Sequence, residues 1–186
     1  MKMKIYIIGI GLIGGSFAME MRKLFPKSKI IGIDKSENNL NKAHELGVID
    51  KKSSISEISE ADIILVSVPV KSIINLLPNI LDKVNKNTLV IDFGSTKNSI
   101  CSAIKDHPNR ENFLATHPIA GTEFSGPTAA HKGLFTNKNI IICDKHRTNK
   151  SKLEIALKIF NLMKMKISYM NPDSHDKHIA YVSHLS

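Results

Sequence analysis

The sequence predicts an α/β domain: a doubly wound, mainly parallel sheet with helices on both faces. Three observations lead there. Short apolar runs alternate with helical stretches along all 186 residues. The run at 63–68 is almost continuously apolar, as expected of a strand covered on both faces. A glycine motif joins the first strand to the first helix.

Each element has a local reason. Residues 4–8 read as the first strand and 12–23 as a helix ended by Pro26. Residues 29–34 form the second strand. Ser36 N-caps a helix over 37–46, with Gly47 as its C′ residue. Pro69 stops the strand at 63–68. A helix over 70–84 follows, which Pro78 is expected to break or kink. Residues 88–92 are a strand, and Ser95 opens the next helix. After a strand at 113–116, residues 121–135 are rich in Gly, Thr, Ser and Pro and read as a long loop with room for a short helix. A strand at 139–143, a helix at 151–163 and a last strand at 166–169 complete the domain. Asn171 and Pro172 are an N-cap and N1 pair for a final helix.

Composition narrows the function classes. The chain is 42% apolar and 23% charged, which excludes disordered, collagen-like and disulfide-scaffold classes. The formal net charge is +9, from 26 Lys plus Arg against 17 Asp plus Glu. Only Arg22, Arg110 and Arg147 are arginines, and the lysines form no block, so a solvated lysine surface is expected rather than a nucleic-acid partner. The surplus also suits an anionic small ligand. Cys101 and Cys143 follow no spacing pattern and read as reduced, partly buried thiols of a cytoplasmic protein. No stretch reads as a signal peptide or membrane span, so no membrane partner is expected.

The motif is Gly9-Ile10-Gly11-Leu12-Ile13-Gly14, a G-x-G-x-x-G. Gly9 serves a tight turn, Gly11 a close backbone approach to a pyrophosphate, and Gly14 the packing of helix on sheet. The N–H groups around Leu12 and Ile13 open a helix whose dipole favours an anion. Asp34 ends the second strand, twenty residues past Gly14, where an acid binds a ribose 2′-OH and repels a 2′-phosphate. The fold class is therefore Rossmann-type, with NAD preferred as cofactor. Lys35 is a cation beside that acid and could partly tolerate the phosphate. Ligands of such sheets sit at the carboxyl ends of the strands, which adds Ser67, Val68, Pro69 and Ser95 to the cofactor-binding set. His175 and His178 share a helix face but lack a third ligand, so no metal is expected.

Four segments together resemble the prephenate dehydrogenase family: the glycine motif with Gly15 and Ser16, Asp92-Phe93-Gly94-Ser95-Thr96-Lys97, His117-Pro118-Ile119-Ala120-Gly121-Thr122-Glu123, and Ser183-His184-Leu185. The His117 segment is the most specific of them. The resemblance implies NAD-dependent oxidative decarboxylation of prephenate to 4-hydroxyphenylpyruvate in tyrosine biosynthesis. It implies that His117 accepts the proton of the substrate hydroxyl and that Ser95 orients His117 or that hydroxyl. His184, Thr122, Ser125 and Gly126 would line the substrate pocket. His175 and Asp176 match a family pattern without an assigned role.

The resemblance also sets the expected organisation. Residues 1–170 form the NAD-binding domain, and 171–186 start a helix leading toward a helical domain that makes a homodimer and carries a carboxylate-binding Arg. None of the three arginines here sits in a matching motif. Arogenate or cyclohexadienyl specificity is the close alternative, as is an NAD-binding fragment without turnover. A β-hydroxyacid dehydrogenase is a more distant one, lacking its motif-borne Lys.

Overall fold

In a computed structural model, residues 2–121 and 126–183 are described. Eight strands form one sheet in the order β3-β2-β1-β4-β5-β6-β7-β8. They are β1 (Lys4–Ile8), β2 (Lys29–Ile33), β3 (Lys51–Lys52), β4 (Ile63–Val66), β5 (Leu89–Asp92), β6 (Phe113–Pro118), β7 (Asn139–Cys143) and β8 (Lys166–Met170). Strands β1 to β6 run parallel, while β7 is antiparallel to β6 and parallel to β8. The chain order leaves β1 at the centre, so the sheet reverses direction of growth between β1 and β4, where such folds place their ligand crevice.

Alternation along each strand divides the core in two. Ile5, Ile7, Ile63, Leu65, Leu89 and Ile91 face one side, against Phe17 and Met21 of α1 (Leu12–Leu24), Leu40 of α2 (Glu37–Glu45) and Phe160 of α5 (Lys150–Leu162). Tyr6, Ile8, Ile64, Val66 and Val90 face the other, against Ile73, Leu77 and Leu81 of α3 (Val70–Lys83) and Ile100 of α4 (Asn98–Ala103). A sixth helix, α6 (Pro172–Ser183), packs against α4 on this second face.

Two expectations are corrected. Helix α3 runs through Pro78 without a break. Its apolar stripe of Ile73, Leu77, Ile80 and Leu81 is fully buried, and that packing outweighs the one backbone hydrogen bond that proline removes. Ser95 does not open α4: the helix starts three residues later, at Asn98 with Lys97 as N-cap, and Ser95 is exposed. Lys97 itself is fully buried, its side chain drawn into the core toward Asp92 and the Thr116 carbonyl oxygen. Both cysteines are free and fully packed, and burial pushes each thiol up to about 12.

The caps follow the sequence. Ser36 Oγ accepts the Asn39 N–H, and Asn171 Oδ1 accepts the Ser174 N–H at 2.7 Å. Among its described residues the long loop carries a short 3-10 helical turn, Pro127–Ala129, and is pinned to α1 beyond it. The His131 N–H donates to Ser16 Oγ at 3.0 Å and the Gly133 N–H to buried Glu20 at 2.6 Å. No described helix is long and apolar enough to cross a membrane.

Candidate active site

The glycine turn sits in the crevice between β1 and β4. Gly9 has φ +93°, and a Cβ there would lie 2.2 Å from the Ser67 carbonyl oxygen and 2.7 Å from Val68. A Cβ on Gly14 would lie 2.0 Å from the Gly9 carbonyl oxygen, so α1 can approach the turn only with glycine there. Gly11, by contrast, has open space where its Cβ would be. No side chain caps the first turn of α1, which leaves the N–H groups beginning with Leu12 and Ile13 toward that space.

Asp34 faces the same turn. Its Oδ2 accepts the Ile10 N–H and its Oδ1 the Ser36 N–H, each at 2.8 Å. Each oxygen keeps a second lone pair, so the carboxylate can still accept from a ribose hydroxyl. An open cradle at Gly11, an uncapped helix N-terminus and a fixed acid fit a dinucleotide. Ser67, Val68 and Pro69 follow β4, and Ser67 and Val68 meet the turn at Gly9. Gly14→Ala should therefore lose dinucleotide binding by calorimetry, because its Cβ must displace backbone rather than a flexible side chain.

Strand β6 carries His117 toward the same carboxyl edge of the sheet. Its Nδ1 lies 3.0 Å from Nε2 of His175, on α6. His175 is fully buried, and its Nδ1 lies 2.7 Å from Oδ1 of Asp176. Asp176 in turn accepts the backbone N–H of Lys97 at 2.7 Å and of Asn98 at 2.9 Å, the first N–H groups of α4. Burial pushes the Asp176 carboxyl up, but the hydrogen bonds from His175, Asn98 and Lys97 outweigh it and hold the group below the usual carboxylate range.

This chain fixes the tautomers. An ionised carboxylate only accepts, so His175 donates from Nδ1, and a neutral His175 then accepts at Nε2. His117 then donates from Nδ1, and its Nε2 carries the ring lone pair. Burial, Lys97 and His175 together lower the His117 pKa from 6.5 to about 4, against the opposite pull of Asp176. The imidazole is neutral at neutral pH.

Under these rings lies a buried ion pair. Lys97 and Asp92 are both 0% exposed, and the Lys97 ammonium binds the Asp92 carboxylate and the Thr116 carbonyl oxygen, the latter at 2.7 Å. Asp92 also accepts the N–H groups of Gly94 at 2.9 Å and Thr116 at 3.1 Å. The pair ties the ends of β5 and β6 together, at Thr116 beside His117.

The depressed His117 pKa carries a consequence for stability. The unfolded chain takes up a proton near pH 6.5, whereas the folded chain resists until about pH 4. His117 therefore costs stability progressively as pH falls through that window, and its contribution is flat above and below it. Denaturation of the wild type and of His117→Gln across the window should show the gap between them closing or reversing toward the acid side.

Sequence reasoning did not assign roles to Lys97, His175 and Asp176. Lys97 had a signal, an acid ending an apolar strand with a Lys five residues on. His175 and Asp176 had only their match to a family pattern and, for His175, a helix face shared with His178. His178, one turn along from His175, is exposed and does not converge with it. Among the described residues, the ring partner of His117 is His175 and not Ser95. Gly126 lies at the start of the short turn with φ +82°. His184, Thr122 and Ser125 lie outside the described residues.

Comparison with known proteins agrees with this geometry. The family described as prephenate dehydrogenase, nucleotide-binding domain, matches residues 17–169. A prephenate dehydrogenase of Bacillus subtilis is 35% identical over 99% of this chain and 51% of its own length. A cyclohexadienyl dehydrogenase of Zymomonas mobilis is 29% identical over 97% of this chain and 62% of its own. Among solved structures, prephenate dehydrogenase from A. aeolicus, in complex with hydroxyphenyl propionate and NAD+, superposes with a TM-score of 0.87 at 29% identity, covering 94% of this chain and 62% of that one. The chain thus spans about half to two thirds of the length of these relatives. With its glycine turn, its acid at the end of β2 and its His117 segment, the chain belongs to the prephenate dehydrogenase family, through the nucleotide-binding domain.

Proposed function

We propose that this chain is the dinucleotide-binding part of an NAD-dependent prephenate dehydrogenase, which converts prephenate to 4-hydroxyphenylpyruvate with loss of carbon dioxide. The observation that carries the reading is the Asp176–His175–His117 chain, which ends in an unprotonated Nε2 on the sheet edge that also bears the glycine turn. Gly9, Gly11, Leu12, Ile13 and Gly14 hold the pyrophosphate, and Asp34 holds the adenine ribose and disfavours a 2′-phosphate. The bound nicotinamide supplies the hydride acceptor.

His117 Nε2 takes the proton of the substrate's ring hydroxyl as the carbon bearing it loses hydride and becomes a carbonyl. Loss of the ring carboxyl group as carbon dioxide then returns an electron pair to that oxygen and makes the ring aromatic. The imidazolium gives the proton back, so His117 ends as it began. Asp176, acting through His175, stabilises the transient positive charge. Ser95, exposed beside this edge, is within the proposed site as a residue for the hydroxyl, and His184, Thr122, Ser125 and Gly126 as residues lining the pocket.

Helix α6 carries His175 in its first turns and, in this reading, leads from a domain of residues 1–170 toward a substrate-binding and dimerising part. The greater length of the relatives supports that reading. A cytoplasmic location goes with a biosynthetic role.

The test has two arms. Calorimetry on this chain should show NAD binding with NADP disfavoured; no binding of either would contradict the cofactor assignment. An assay of prephenate with NAD, following NADH absorbance, should show turnover in a longer chain that carries this one. Bound NAD without turnover there would sink the substrate assignment. Activity on arogenate is the second reading, favoured by the cyclohexadienyl relative. Comparison of kcat/KM on the two substrates decides it.

A further inference from the structure

The geometry points to a second anion site, separate from the dinucleotide crevice, in a cleft between α4, the start of α6 and the turn at Lys145–Arg147. The ligand class is a compact oxyanion, a phosphate or carboxylate group on a small molecule. The cleft encloses about 380 Å³, which leaves room for more than the anionic group itself. Three permanent cations line it: Lys105, Arg110 and Arg147, with His146 beside them.

Arg110 is the built element. It is 5% exposed, and its guanidinium is fixed by Nη1 donating to the Phe113 carbonyl oxygen at 2.9 Å and by stacking over the Phe113 ring at 5.2 Å. Its Nη2 is buried and has no hydrogen-bond partner among the described residues. The nearest acid, Asp144, stands 3.9 Å away, beyond hydrogen-bond distance. A guanidinium held rigid with one nitrogen unsatisfied is prepared for a planar or tetrahedral oxyanion.

The other charges agree. Asp173 also lines the cleft, but it is paired with Lys177 at 2.7 Å. Three cations therefore face Asp144, whose ion pair with Arg110 is long, at 3.9 Å. Arg147 is held by its own hydrogen bond to the Lys105 carbonyl oxygen, which places it at the rim beside the Lys105 side chain. The Asp176–His175–His117 chain uses none of these cations, so the cleft is not explained by the proposed chemistry.

The probes are inorganic phosphate and citrate, titrated calorimetrically into this chain at constant ionic strength with chloride as control. Binding of either supports the site. Phosphate alone marks a phosphoryl ligand and citrate alone a carboxylate. Lys105 is exposed and Arg147 half-buried, so both tolerate truncation, with circular dichroism to check folding. Lys105→Ala and Arg147→Ala should each weaken binding roughly tenfold, the loss of one charge-assisted hydrogen bond. The double variant should abolish it. Failure of both anions to bind the wild type overturns the proposal. So does undiminished binding in the double variant, which would put the anion elsewhere, such as the glycine turn.

Discussion

Replacing His117 by Asn should lower kcat for the proposed prephenate oxidation by about 10²–10⁴-fold, the usual contribution of a positioned general base. KM changes little by comparison. The asymmetry follows from what Asn keeps: its amide N–H₂ can still donate to His175 Nε2, so the buried acceptor stays satisfied and the local packing survives. What is lost is the lone pair at Nε2, which only the hydroxyl proton uses. Steady-state kinetics in a longer active chain, with a denaturation curve alongside, checks both halves. A near-normal kcat would remove His117 from the chemistry.

The largest effect on stability belongs to Lys97. Lys97→Met should cost about 3–5 kcal/mol, because it leaves the Asp92 carboxylate buried without its cation. Burial already pushes the Asp92 carboxyl above its usual range, against Lys97 and the N–H groups of Gly94 and Thr116. In the variant that push is less opposed. A carboxyl whose folded pKa lies above its unfolded value binds protons preferentially in the native state, so the deficit should shrink as pH falls. Adding Asp92→Asn to Lys97→Met should recover part of the loss, since a neutral amide can still accept from one of the two N–H groups. Urea denaturation of the two single variants and the double variant measures the coupling directly. A loss near zero for Lys97→Met would mean that the ammonium is dispensable to the fold.

Much of this architecture could be read from local pattern. The strands at 4–8 and 139–143 appear where the apolar runs put them, and Ser36 and Asn171 cap as their positions require. Such signals act over a few residues, and the physics is local. The glycine turn and Asp34 were legible for the same reason, since a strand-turn-helix-strand unit fixes their relation.

What escaped was long-range or marginal. Strand β3 is two lysines paired with Ile31 and Gly32, held by its neighbour rather than by its own composition. Lys97 looks like any of the surface lysines until the ends of β5 and β6 are brought together around it. His117 and His175 are 58 residues apart and meet because α6 folds back over α4 after β8. The catalytic candidate was therefore visible in sequence, and the groups that set its protonation were not.

The central claim is that burial, Lys97 and His175 keep His117 neutral, while its place in the Asp176–His175 chain puts its proton on Nδ1. Long-range ¹H–¹⁵N NMR of the imidazoles across pH measures this directly. The account predicts a protonated Nδ1 and bare Nε2 on His117 at neutral pH, with a titration midpoint near 4 rather than 6.5. A proton on Nε2, or a midpoint at or above 6.5, would contradict it.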